Sequence, residues 1–212
     1  MKSKFGIAFA AALAAFVAIA APASAQQTII DEWSGIQIPP APALKEVTVD
    51  PKTTALLLLD FVKQTCNDKV RPRCVASLPA TAKFLAEARA HHMLVVYSYV
   101  FGGAVQDILP PVARENGESA VQSGPDKFLH TDLEKILKDH GITTVIVTGT
   151  AAHGAVLHTG DEATLRGFNV VVPVDGMSAE SAFDELYVAY NFVHAPLVAA
   201  KSVLTRYNMI KF

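Results

Sequence analysis

The stretch that decides the fold is residues 144–179, TVIVTGTAAHGAVLHTGDEATLRGFNVVVPVDGMSA. Thr144–Thr148 is a short β-branched run and reads as a buried strand. Gly149–Gly154 is a tight turn of small residues. Ala155–Arg166 has helical spacing and is stopped by Gly167; Asn169–Val174 is a second strand, closed by Asp175. Two buried strands joined through a helix form a crossover unit, which requires a parallel pair.

The same alternation continues outward in both directions. Downstream, Ser181–Val193 predicts a helix and Ser202–Thr205 a last strand. Upstream, Thr131–His140 predicts a helix with Thr131 as N-cap, Glu134 three residues on and Gly141 as its stop. Ser119–Gln122 reads as a short strand, preceded by a loop holding Pro110 and Pro111. Met93–Val100 is another strand and Leu78–His92 another helix. Thr54–Asp60, TALLLLD, is a continuous apolar run ending in a carboxylate, as expected of a strand buried on both faces. The order predicts a three-layer α/β/α sandwich with a six-stranded, largely parallel, Rossmann-like sheet. Asp60, Gly149 and Asp175 all end strands, so they belong to the carboxyl rim where such sheets bind ligands.

Residues 1–25 are set apart from this domain. Lys2 and Lys4 precede an alanine-rich apolar run, Phe5–Ala21, and Ala23-Ser24-Ala25 supplies a cleavage site. The segment reads as a secretory signal peptide cut before Gln26, with an uncleaved anchor as the rival reading. The expected location is therefore periplasmic or secreted, with no membrane association after cleavage. Residues 26–50 form a polar arm with Pro39, Pro40 and Pro42, and residues 51–212 the domain. In an oxidising compartment Cys66 and Cys74, with seven residues between them, are expected to form a disulfide; a reactive thiol is the alternative. A two-cysteine metal site lacks nearby histidines.

Composition narrows the function. Hydrophobic residues make up 51% of the chain and charged ones 18%, which excludes disorder. Eighteen basic residues against 20 acidic ones, with no basic block, leave no electrostatic footprint for a nucleic acid. A small-molecule partner is expected instead.

Three segments, TALLLLDFVKQTC (54–66), VQSGPDKFLHTDLEKIL (121–137) and residues 144–179, together resemble the isochorismatase-like hydrolases. The resemblance spans roughly residues 52–207 and implies the sheet described above. Most members look like cysteine hydrolases with an Asp, Lys, Cys triad. A thiolate at a helix start attacks a carbonyl, the aspartate moves protons, and backbone N–H groups hold the oxyanion. Asp60 matches the aspartate. Counting back from Phe128 puts the lysine position on Gln122, with Lys127 close by; counting on from Gly149 puts the cysteine position on Ala155.

Isochorismatase-type members instead carry an Ala-His-x-Gly turn and cleave a vinyl ether with water. Here that turn is Ala152-His153-Gly154-Ala155. The resemblance thus implies a hydrolase using Asp60-assisted water attack without a cysteine nucleophile. Gln122 and Lys127 are further catalytic candidates. Ala152, His153, Gly154 and Ala155 are substrate-binding candidates, as is His158, one helical turn beyond Ala155. The alternative is an inactive small-ligand-binding protein on the same fold; a structural oligomer with a vestigial pocket is a third reading. The Asp and His spacing with which nicotinamidases hold a metal is missing after Asp60, so no metal and no cofactor are expected. Family members assemble through helix faces, which makes a homo-oligomer the expected state.

Overall fold

Strand β2 (Thr54–Leu59) is buried at every position, as a strand covered on both faces must be. The computed structural model describes residues 28–212. The expected leader, residues 1–25, lies outside the described residues. Residues 28–39 belong to a unit of their own, with a short helix, α1 (Ile29–Glu32), and a 3-10 turn at Trp33–Gly35. Its Ile29, Ile30, Trp33, Ile36 and Ile38 are exposed.

The second unit begins at Pro40 and holds the sheet. Its central strands are β2, β3 (Leu94–Tyr99), β4 (Ser119–Gln122), β5 (Thr144–Thr150), β6 (Asn169–Pro173) and β8 (Ser202–Thr205), in the spatial order β4-β3-β2-β5-β6-β8. Every pair in it is parallel. A seventh strand, β7 (Met177–Ser178), is added to the six expected. It pairs with Gly149 and Thr150, beyond the point where β6 leaves β5. Two residues carry no readable alternation, so nothing in the sequence marks this strand. The same holds for the small separate sheet of β1 (Val47–Thr48) and β9 (Ile210–Lys211).

Alternate residues of the strands feed two cores. Ala55, Leu57, Leu59, Val145, Val147, Val170 and Val172 pack with α3 (Leu133–Asp139), α4 (Leu157–Leu165) and α5 (Ala182–His194). Leu56, Leu58, Ile146 and Val171 face the other way, onto Leu78, Phe84 and Leu85 of α2 (Pro72–Ala90). The result is a three-layer α/β/α sandwich. Helix α2 starts earlier than its apolar spacing indicates, because Pro72 at its first turn needs no N–H partner. This start draws Cys74 into the helix, and Cys74 is bonded to Cys66 with a Cα–Cα separation of 5.4 Å. Thr131 is not the cap of α3; the helix begins after Asp132, and the Thr131 hydroxyl accepts from the Leu133 N–H instead. Ser181 does cap α5, accepting from the Asp184 N–H. Among the described residues no helix is long and apolar enough to cross a membrane.

Strand β2 has β3 on one side and β5 on the other. The chain therefore leaves β2 in one direction and later returns on the opposite side. That reversal makes the carboxyl ends of β2 and β5 the topological switch point of the sheet, the place where open α/β sheets bind ligands. Asp60 follows β2 directly, and Leu59 is in register with Gly149 of β5.

Candidate active site

Asp60 sits where β2 ends, only 5% exposed, with a backbone φ of 55°. Aspartate tolerates this left-handed region better than most residues, and a bent strand end turns its carboxylate away from the sheet ladder. The bend is held on both sides. The Asp60 N–H donates to Ser98 Oγ (3.2 Å), while the Asp60 carbonyl accepts from the Val62 N–H (2.8 Å) and the Thr65 hydroxyl. Ser98 lies opposite Leu59 on β3, and its hydroxyl donates to Asp60 Oδ1 at 2.6 Å.

The other carboxylate oxygen carries a buried ion pair. The Lys127 ammonium donates to Asp60 Oδ2 at 2.6 Å and to the Gly124 carbonyl at 2.7 Å, and Lys127 is wholly buried. Burial pushes this ammonium below the ordinary lysine range, against the opposing pull of the Asp60 carboxylate. The loop bearing Lys127 is tied to α4. The Lys127 N–H donates to Thr159 Oγ1 (3.2 Å), and the same hydroxyl donates to the Pro125 carbonyl (3.2 Å). Thr159 is four residues beyond Ala155, so it stacks one helical turn away from it.

Ala152, His153, Gly154 and Ala155 form a single π-helical turn, Ala152–Val156, that leads from β5 into α4. Gly149 makes the approach possible. Its φ is 143°, and a Cβ there would lie 2.3 Å from the Leu59 carbonyl oxygen. The Thr150–Ala151 peptide is cis. Ala152 and Ala155 are buried, while His153 keeps part of its ring exposed. No nucleophilic side chain stands at 155, only a methyl group.

Two candidates lie elsewhere. Gln122, at the end of edge strand β4, is exposed and donates to the carbonyls of Val100 (3.3 Å) and Gly103 (3.1 Å). It fastens a loop and does not contact Asp60; the lysine charge at the site comes from Lys127. His158 is exposed on α4, near enough to Asp161 to act on its carboxylate. Asp175 accepts from the Tyr207 N–H and so braces the C-terminal segment. Sequence reasoning overlooked Ser98 and Thr159. Ser98 is a small polar residue in the mostly apolar strand β3, which was the available signal; Thr159 lies among other polar residues of α4 and had none.

The fold and the site together define a parallel α/β domain with a buried acid–lysine pair at its topological switch point. The isochorismatase domain matches residues 54–193, and the chain belongs to that family. A secreted isochorismatase effector of Verticillium dahliae is 23% identical over 142 residues, spanning 61% of this chain and 75% of that protein. An N-carbamoylsarcosine amidase of Arthrobacter is 36% identical over 63 residues, 29% of this chain but only 24% of the amidase. A cysteine hydrolase from Pseudomonas syringae superposes with a TM-score of 0.68 at 18% identity, covering 79% of this chain and 94% of that one. This last likeness speaks to the shared fold.

Proposed function

We propose that the protein hydrolyses a small molecule, an amide, ester or enol ether, by Asp60-assisted attack of water and without a covalent enzyme intermediate. The observation that carries this reading is the buried Asp60–Lys127 pair beside a turn whose nucleophile position is Ala155. A carboxylate held by a cation on one oxygen and a hydroxyl on the other is a fixed proton acceptor. For a carbonyl substrate, Asp60 takes a proton from water and the hydroxide adds to the carbonyl carbon. N–H groups of the 152–156 turn receive the oxyanion. The bond to the leaving group then breaks as Asp60 returns the proton to it, so that one water is consumed. General acid–base help of this kind contributes roughly 10²–10⁴-fold. The amidase and the cysteine hydrolase support the substrate class only as relatives.

Location and assembly belong to the same proposal. The secreted relative and the apolar leader sequence support export to the periplasm or beyond, and a homo-oligomer is the expected assembly. The methyl group at Ala155 favours the second reading, a binding protein that has kept the fold and lost the chemistry.

A hydrolysis screen of wild type beside Asp60→Asn separates these readings. Turnover that disappears in a folded Asp60→Asn protein supports the hydrolase. Turnover that survives the substitution sinks Asp60 as the acid–base group. Ligand-induced thermal stabilisation with no turnover in either protein favours binding alone.

A further inference from the structure

Beside the turn, but apart from the Asp60–Lys127 pair, three ligand-type side chains converge. His153 comes from the π-helical turn, Glu180 from the link between β7 and α5, and Asp184 from the first turn of α5. One ligand atom from each lies within 4.8 Å of the other two. His153 Nε2 is 3.9 Å from Glu180 Oε2, too far for a hydrogen bond, so the two face one another at ion-pair distance only. We infer that His153, Glu180 and Asp184 form a binding site for a first-row divalent metal ion of the zinc type.

The neighbours of the cluster support this more than the cluster itself. Each carboxylate has one oxygen already engaged. Arg71 holds Glu180 Oε1 at 2.8 Å while donating to the Thr65 carbonyl, and the Ser181 hydroxyl holds Asp184 Oδ2 at 2.6 Å. The second oxygen of each is left for a ligand. Anchoring of this kind orients the residues that bind a metal. The imidazole is equally uncommitted. Its Nδ1 is buried and has no hydrogen-bond partner among the described residues, so no donor there forces the proton onto Nε2.

The donor set selects the ion. One imidazole and two carboxylates suit zinc and its neighbours, whereas calcium and magnesium favour all-oxygen shells with more ligands. Zinc bonds of about 2.0–2.2 Å bring tetrahedral ligands to roughly 3.3–3.6 Å of one another. Side chains that are partly exposed can close the remaining gap by rotation. Three protein ligands leave a position for water or an anionic oxygen of a bound molecule. The missing Asp and His spacing after Asp60 concerns a different place in the fold and says nothing about residues 153, 180 and 184.

The test is calorimetric titration of zinc chloride into tag-free, chelator-stripped protein. The disulfide leaves no free thiol to compete for the metal. One zinc per chain is expected. His153→Ala should abolish measurable binding, and Glu180→Gln and Asp184→Asn should each weaken it about tenfold or more. His158→Ala, which alters an exposed histidine outside the cluster, should bind as wild type does. Cobalt should give visible d–d absorption in wild type that is lost in His153→Ala. Circular dichroism and urea unfolding of the metal-free variants show that each is folded. Absence of zinc binding by wild type, equal binding by His153→Ala, or loss of binding in His158→Ala would each overturn the assignment. None of these readouts uses turnover, so the outcome is independent of the hydrolase reading.

Discussion

Replacing Lys127 with methionine tests the centre of the site without requiring a substrate. The wild-type ammonium is wholly buried and makes two short hydrogen bonds, at 2.6 Å to Asp60 and 2.7 Å to the Gly124 carbonyl. Methionine fills much of the same volume, so little cavity is created. What remains is a carboxylate 5% exposed, held by Ser98 alone. Removing one partner of a buried pair costs about 3–5 kcal/mol, because the other charge is stranded. For a chain of this size that lowers Tm by roughly 6–20 °C, at about 2–4 °C per kcal/mol. Urea unfolding and calorimetry measure it directly. The decisive companion is the double variant Asp60→Asn with Lys127→Met, which removes both charges together. It should be more stable than Lys127→Met alone, since the stranded charge is gone. A single variant within about 1 kcal/mol of wild type, or a double variant whose loss equals the sum of the singles, would refute the buried pair.

Gly149→Ala should destabilise by roughly 2–5 kcal/mol, because its Cβ would meet the Leu59 backbone at 2.3 Å in a left-handed conformation; an unchanged urea midpoint would contradict the close approach of β5 to β2. Thr159→Val should cost about 1–3 kcal/mol by stranding the Lys127 N–H and the Pro125 carbonyl. A loss below about 0.5 kcal/mol, the size of an ordinary surface change, would show that this tie is dispensable. Converting Cys66 and Cys74 together to serine should cost about 2–3 kcal/mol for a loop of sequence separation 8, read by unfolding under non-reducing conditions. If the protein turns over a substrate, its rate should fall on the alkaline side below pH 10.5, the ordinary lysine value, because the lowered pKa of Lys127 means it loses its proton early. An alkaline limb above that value would remove the Lys127 charge from the mechanism.

What could be read in the sequence follows from how locally each feature is encoded. A run such as TALLLLD carries its strand, its two-sided burial and its terminal carboxylate in consecutive residues, so Asp60 could be placed on the rim. The small residues at 149–155 marked the turn in the same way. Lys127 was different. Counting along the chain favoured Gln122, but the loop after β4 folds back through bonds from the Ser123 hydroxyl to the Asp126 carbonyl and from the Phe128 N–H to the Asp126 side chain. Its docking on Thr159, 32 residues away, has no local signature. The Asp60–Lys127 contact spans 67 residues and exists only once β2, α4 and that loop are assembled.

That pair also bears on the choice between an active and a vestigial site. Buried ion pairs seldom repay their desolvation, and apolar residues of similar size are often as stable or more so. A fold seeking only stability therefore gains little from burying a lysine beside an aspartate at the end of its central strand. The pair fits the proposed hydrolysis, in which Lys127 and Ser98 hold the two oxygens of Asp60 in place. On that proposal, Ala155 offers no nucleophile for a covalent route, while the Asp60 carboxylate remains for the proton transfer that water attack requires.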